Sequence, residues 1–329
     1  MFAIGGLVQS RRGGTSACFR PKRFDDHLPE DLRPVVPTPS VASNGVQLLK
    51  VPAWTRVPWL WHGFSTRLGG VSRAYCAEEV PGELNLGFTA ADNRDAVLQN
   101  RRLLAEAVSG NQDTPLVALR QCHSKLVEVA RDRLEAPARG DGLITAQPGL
   151  LLAVQTADCI PVLVADRRQR VVAAFHAGWR GTVQRIVESG IGRMRLEFKS
   201  RSEDLIAAIG PGVGACCYAV GEEVLSAFES QFAYARDLFH EVYDADSVRE
   251  KYPMLFLTQR APGHSPIGPN LHLDLIAANQ RQLADAGVKP QSIHLAGGCT
   301  SCMSDLFFSH RASRGHAGRM MSVIGVRPV

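Results

Sequence analysis

The sequence predicts an α/β (α+β) fold, a layered sandwich of mixed β-sheets flanked by helices. Three observations carry this. Short unbroken apolar runs at residues 150–154 and 161–165 have the length of strands buried on both faces. Longer stretches of helical period alternate with them. Gly, Pro and charged clusters, such as Gly69-Gly70, Asp166-Arg-Arg and Gly210-Pro-Gly212, separate the runs.

In chain order, residues 46–51 alternate like a strand, and Trp61-His-Gly-Phe-Ser-Thr66 is a second strand ended by Gly69-Gly70. Residues 92–108 read as a helix capped by Asp92, with Val97, Leu98, Leu103, Leu104 and Val108 as its apolar stripe. Residues 116–119 form a short strand leading into Gln121-Cys-His123. Strands follow at 150–156, 161–165 and 170–175, the last running into His176-Ala-Gly-Trp-Arg-Gly181. A helix is expected over 182–198, a strand over 205–209, helices near 222–232 and 273–286, and a late strand at 292–296. No repeat of 20 to 50 residues is visible.

The 329 residues suffice for a full core without staples, and the 45% hydrophobic and 21% charged fractions are those of an ordinary globular chain. The balance of 37 Lys and Arg against 32 Asp and Glu leaves +5, partly from the first 25 residues. That is too mild and too dispersed for a nucleic-acid footprint. The longest apolar run stops at Gln155, far short of the ~20 residues of a membrane span. Eight irregularly spaced cysteines in so long a chain are no disulfide framework, and they fit a reducing cytoplasm.

Residues 1–45 stand apart as a disordered or poorly ordered extension. They carry Arg11, Arg12, Arg20, Lys22 and Arg23 with no acid before Asp25, then Pro34, Pro37 and Pro39. An Arg-rich, acid-poor transit peptide is the sharper reading. Residues 46–329 are expected to form a single catalytic domain.

Three ligand-type side chains each fall at a strand end: His123, Cys159 in Thr156-Ala-Asp-Cys159, and His176. One thiolate and two imidazoles leave a fourth position open, the pattern of a catalytic zinc rather than a closed structural site. The same residues support a metal-free alternative, with Cys159 as a nucleophile activated by His176. A single copper also accepts this donor set. Arg180 adds a fork suited to phosphate or carboxylate at a helix start. Cys299-Thr-Ser-Cys302 offers half a zinc knuckle or a redox pair. With no second CxxC and no thioredoxin-like context, its plain reading is a turn with two ordinary thiols. Cys216-Cys217 reads as core packing at a strand edge. Gly210-Pro-Gly-Val-Gly214 lacks the Lys-Ser/Thr of a phosphate-binding loop.

Taken in order, a longer set of motifs adds to this. It comprises Phe64-Ser-Thr-Arg-Leu-Gly-Gly-Val-Ser72, Asn85-Leu-Gly87, Asn100-Arg101, Gln121-Cys-His123, Gly140-Asp-Gly142, Thr156-Ala-Asp-Cys-Ile-Pro161, His176-Ala-Gly-Trp-Arg-Gly181, Gly210-Pro211, Tyr218-Ala-Val-Gly221, Asp274-Leu275, Cys299-Thr300, Phe307-Phe-Ser309 and Gly318-Arg319. Over residues 46–327 the chain resembles the YfiH-like family, also called laccase-domain or polyphenol oxidase proteins. The resemblance implies a compact α/β sandwich with zinc held by His123, Cys159 and His176. It implies purine nucleoside phosphorylase activity on adenosine, inosine and guanosine, with adenosine deaminase and methylthioadenosine phosphorylase side activities. Purine nucleosides and phosphate would be the small-molecule partners, with Arg67, Arg180 and Asp158 as substrate-binding candidates. The family's other names imply copper-dependent phenol oxidation, and some members are linked to peptidoglycan-precursor editing, for which Cys159 would be the nucleophile. Two departures stand out: Ser124 where the family has Gly after the first ligand His, and His310 where it has Tyr.

Overall fold

The computed structural model describes residues 37–76, 81–131, 138–242 and 270–328. Of the disordered or transit-peptide expectation for residues 1–45, the part on residues 1–36 lies outside them. The elements are, in chain order, β1 (Ser40–Val41), β2 (Gln47–Leu49), β3 (Leu60–Ser65), β4 (Leu68–Ser72), α1 (Arg94–Ser109), β5 (Leu116–Ala118), β6 (Val127–Val129), β7 (Gly142–Thr145), β8 (Leu151–Thr156), β9 (Ile160–Asp166) and β10 (Val171–Ala177). There follow α2 (Trp179–Val183), α3 (Ile186–Phe198), β11 (Leu205–Ile209), β12 (Ala219–Val220), α4 (Glu222–Glu229), β13 (Phe239–Val242), β14 (Asn270–Leu273), α5 (Leu275–Asp285), β15 (Ile293–Leu295) and β16 (Met320–Val326).

Two six-stranded mixed sheets carry the body. The first runs β1-β2-β3-β16-β8-β5, the second β15-β11-β9-β10-β7-β6. A small sheet, β12-β14-β13, stands beside them. Strand alternation sorts the core into layers. In β9, Leu163 and Ala165 join Phe64, Leu152, Val154 and Ile324 of the first sheet, whereas Val162 and Val164 join Ile186, Ile191 and Met194 of α3 and Leu283 of α5. On the far side of the first sheet, Ala153, Met321 and Val323 pack with Leu104 of α1. The order is helix, sheet, sheet, helices. Both central sheets are covered on both faces, so their strands read as continuous apolar runs rather than alternating ones.

Several expectations shift. Ser40 and Val41 already pair with Leu48 and Gln47, so the sheet begins before residue 46. Asn93, not Asp92, caps α1: its side chain accepts from the amides of Asp95 and Ala96. Asp92 instead accepts from the Asn85 side chain at 2.6 Å. Leu98 is exposed, and Asn100 takes a buried place on that helix face, where its amide ties Ser72 to the carbonyls of Glu83 and Asn85. Gly69 and Gly70 do not end the strand region but form β4. The helix expected over 182–198 is two: Arg185, at φ 60°, breaks it between α2 and α3. Among the described residues no helix is long and apolar enough to cross a membrane.

Candidate metal centre

β7 and β10 are antiparallel neighbours, with Phe175 opposite Gly142. This register sets His176, near the end of β10, beside Asp141, just ahead of β7. The His176 amide donates to the Asp141 carbonyl at 2.7 Å, and its ring Nδ1 lies 2.8 Å from Asp141 Oδ1. A carboxylate only accepts, so Nδ1 carries the proton and Nε2 is the free ligand atom. Cys159 sits at the corner between β8 and β9, where Asp158 adopts φ 89°. His123 follows β5 in a left-handed turn at φ 57°. Its Nε2 stands 3.9 Å from Cys159 Sγ. One ligand atom from each of His123, Cys159 and His176 lies within 4.8 Å of the others. Gly178 permits this convergence: a Cβ there would come 2.9 Å from Cys159 Sγ and 3.1 Å from the His123 ring.

Asp141 organises the centre, and sequence reading gave it no role. Besides His176, its carboxylate accepts from the amides of Cys122, His123 and Ser124 at 3.2, 3.0 and 2.7 Å, and from Ser124 Oγ at 2.7 Å. Ser124, the departure from the family pattern, therefore adds a hydroxyl donor to the group that aims His176. Burial raises the Asp141 carboxyl, but the hydrogen bonds from His176 and Ser124 outweigh it and hold it well below the usual carboxylate range. Burial likewise raises the Cys159 thiol, but the His176 charge and the His123 contact bring it down to about 6. For His176 burial lowers, while the Cys159 thiolate and Asp141 raise it to about 9. Without a metal the site thus favours a Cys159 thiolate beside a protonated His176, whose Nε2 proton a bound cation would replace, with a buried carboxylate fixing the ring as such carboxylates do at histidine-ligated metals. Donor chemistry and spacing fit one transition-metal ion.

The three substrate-binding candidates fare differently. Arg180 follows the first residue of α2; its guanidinium lies 4.3 Å over the Trp179 ring, and among the described residues it has no carboxylate partner. Asp158 is buried and already engaged: Oδ1 accepts from Thr300 Oγ1 and Oδ2 from the Arg311 amide, both at 2.6 Å. Arg67 donates to Glu83 and to the carbonyls of Ser304 and Tyr75, and stacks over Phe308 at 4.8 Å. Its fork braces the β3–β4 region. The ring of Tyr218, not singled out by its own chemistry in the sequence, is a neighbour of the centre. Burial first, then the charges of Cys159 and Asp158, push its hydroxyl up to about 12 against Arg311 and Arg180. Arg311 lies 5.3 Å over that ring and donates to the Ala219 carbonyl. His310 is exposed.

The sequence matches the family described as Multi-copper polyphenol oxidoreductase laccase over residues 61–327. It is 36% identical over 286 residues to a purine nucleoside phosphorylase of Deinococcus radiodurans, covering 87% of this chain and 95% of that one. It is 33% identical over 280 residues to the purine nucleoside phosphorylase YfiH of Escherichia coli, covering 84% and 98%. The crystal structure of YlmD from Geobacillus stearothermophilus superposes with a TM-score of 0.69 at 29% identity, covering 89% of this chain and all of that one.

Proposed function

We infer a function from the premise that this chain belongs to the laccase-like family of YfiH and YlmD: it is a zinc-dependent purine nucleoside phosphorylase. The observation that carries this is the convergence of His123, Cys159 and His176 into a three-ligand set, with Arg180 in the helix that directly follows the His176 strand. A set of one thiolate and two imidazoles leaves a tetrahedral ion one position for substrate or water, which is zinc-like. Multi-copper oxidation calls for several His-rich sites. Among the described residues the other ion-sized cluster is all cysteine.

In phosphorolysis a phosphate oxygen bonds to C1′ of the ribose, the C1′–N9 bond breaks, and its electron pair leaves on the purine. His123, Cys159 and His176 would hold the ion, which when bound would supply Lewis acidity to the reaction. Arg180 orients phosphate through its fork. Tyr218 stays a neutral O–H donor at pH 7, available to phosphate or base. Asp141 holds His176 by its Nδ1, which leaves Nε2 as the ring atom that would bind the ion. Adenosine, inosine and guanosine are the proposed substrates, with adenosine deamination and methylthioadenosine phosphorolysis as side reactions of the same centre.

The test is incubation of the purified protein with inosine, with and without phosphate, followed by chromatography. Hypoxanthine and ribose 1-phosphate should form only with phosphate. No base release, alongside oxidation of a catechol by the copper-loaded protein, would overturn the reading in favour of the copper enzyme.

A further inference from the structure

β11 and β15 are parallel neighbours, with Ile209 opposite Leu295, so their C-terminal ends emerge side by side. The loops beyond them keep that pairing. Gly212 bridges to Cys299, and the Thr300 amide donates to the Gly212 carbonyl at 2.9 Å. The first loop carries Cys216-Cys217 and the second Cys299-Thr-Ser-Cys302. All four sulfurs lie within 4.8 Å of one another, and Cys302 Sγ stands 3.4 Å from both Cys216 and Cys217. The sequence separation across these contacts is 86 and 85 residues. The two sequence readings, core packing for one pair and an ordinary turn for the other, are thus both corrected: the pairs form one cluster.

We propose that Cys216, Cys217, Cys299 and Cys302 form a second metal site, a closed four-thiolate cage for a single structural zinc ion.

Three features support a cage rather than packed thiols. A tetrahedron with Zn–S bonds of ~2.3 Å has edges of ~3.8 Å, so the observed separations need only small adjustment. The 3.4 Å contacts are far longer than a disulfide bond, and all four thiols are free. Space is kept for the sulfurs: a Cβ on Gly214 would sit 3.2 Å from Cys299 Cβ and 3.3 Å from Cys216 Sγ, and the Gly214 amide hydrogen-bonds to Cys299. Such an amide contact stabilises a thiolate, as at ligating sulfurs generally. On binding, four thiols lose their protons to solvent and four S–Zn bonds form. No oxidant is needed. The sulfurs converge too closely to enclose a polynuclear iron–sulfur core.

The site does not react; it positions. Val213, in the first loop, donates to the Asp158 carbonyl at 2.8 Å, and Thr300, in the second, donates to the Asp158 carboxylate. Tyr218 follows Cys217 directly. The ion would pin both loops behind the Asp158–Cys159 corner and hold the Tyr218 wall of the catalytic centre.

The inference concerns metal content, so it stands or falls separately from the phosphorylase reading. Full-length protein grown with zinc and purified without chelator should carry two zinc equivalents per chain. Cys217→Ser/Cys302→Ser should carry one, and His123→Ala/His176→Ala should also carry one. Cobalt exchanged into the His variant should show the intense thiolate-to-cobalt charge transfer of a four-sulfur site, a readout independent of whether the Cys variant folds. One equivalent in wild type that vanishes in the His variant would overturn the proposal. So would a peptide map joining residues 216 or 217 to 299 or 302 through sulfur, or iron with acid-labile sulfide in place of zinc.

Discussion

The two ion-sized clusters differ in what surrounds them. At the His/Cys site two ligand-type side chains come from strand ends, Cys159 and His176, and one, His123, from the turn after β5; His176 is locked by a buried carboxylate. His123 is exposed, and Tyr218, whose hydroxyl feels the Cys159 charge, lies near the site. At the cysteine cluster four identical side chains come from two loops, enough to fill every position of a tetrahedral ion. Openness, mixed donors and a tuned neighbour belong to chemistry. Closure and uniform thiolates belong to stapling loops that strands alone would not hold.

The contrast breaks most easily at His176. His176→Ala should abolish turnover and remove the catalytic ion while leaving the cysteine-bound ion in place, as counted by metal analysis. Loss of both ions would mean that the clusters are not independent.

Arg180→Met sharpens the contrast next, because only an open site receives phosphate. Charge-assisted bonds are worth roughly 1.5–3 kcal/mol, so phosphorolysis of inosine should slow on the order of 10- to 150-fold. Deamination of adenosine should fall much less. Arg67→Met is the control: a brace lost from Glu83 and Ser304 should lower both reactions and the melting temperature together. A phosphate-specific defect in Arg67→Met, with unchanged stability, would exchange the two roles.

Asp141→Asn should cost on the order of 10- to 100-fold in affinity for the catalytic ion, the usual effect of losing a ligand's orienting carboxylate. Zinc competition read separately for the two sites should show no change at the cysteine cluster. Equal affinity at the catalytic site in both proteins would demote Asp141 to a packing role.

The smallest effect is a pH shift. In metal-stripped protein Cys159 should alkylate with a midpoint near pH 6 instead of 9, followed by peptide mass mapping. Its folded value lies below the unfolded one, so its stabilisation is complete above pH 9 and lost as pH falls through 6. His176 runs oppositely: raised to about 9, its contribution is complete below pH 6.5 and lost as pH rises through 9. The ion pair is therefore present between about pH 6 and 9. A Cys159 midpoint near 9 would break the pairing.

Much of the candidate metal centre was legible in the chain itself. Cys159 and His176 follow apolar runs that announce strands, and catalytic groups collect where such strands end. Asp141 was less legible. Its motif, Gly140-Asp-Gly142, was visible, yet an aspartate between glycines reads as a turn. A sharper signal existed: a histidine ligand needs its second ring nitrogen satisfied, so an acid near another strand end was worth seeking. Arg67 suits phosphate by residue type, while its partners Glu83 and Ser304 could not be inferred from spacing.

What the sequence determined by itself was the local order: which segments are buried strands, which are amphipathic helices, and which ligand-type side chains stand at their ends. Those features follow from period and residue chemistry over a few neighbours. The tertiary structure alone decided that β7 sets Asp141 against His176, that Glu83 occupies Arg67, and that β11 and β15 bring two cysteine pairs into one cluster. Each depends on which distant strands hydrogen-bond and in what register. Backbone pairing is nearly indifferent to side-chain identity at any one position, so periodicity marks a strand without naming its neighbour.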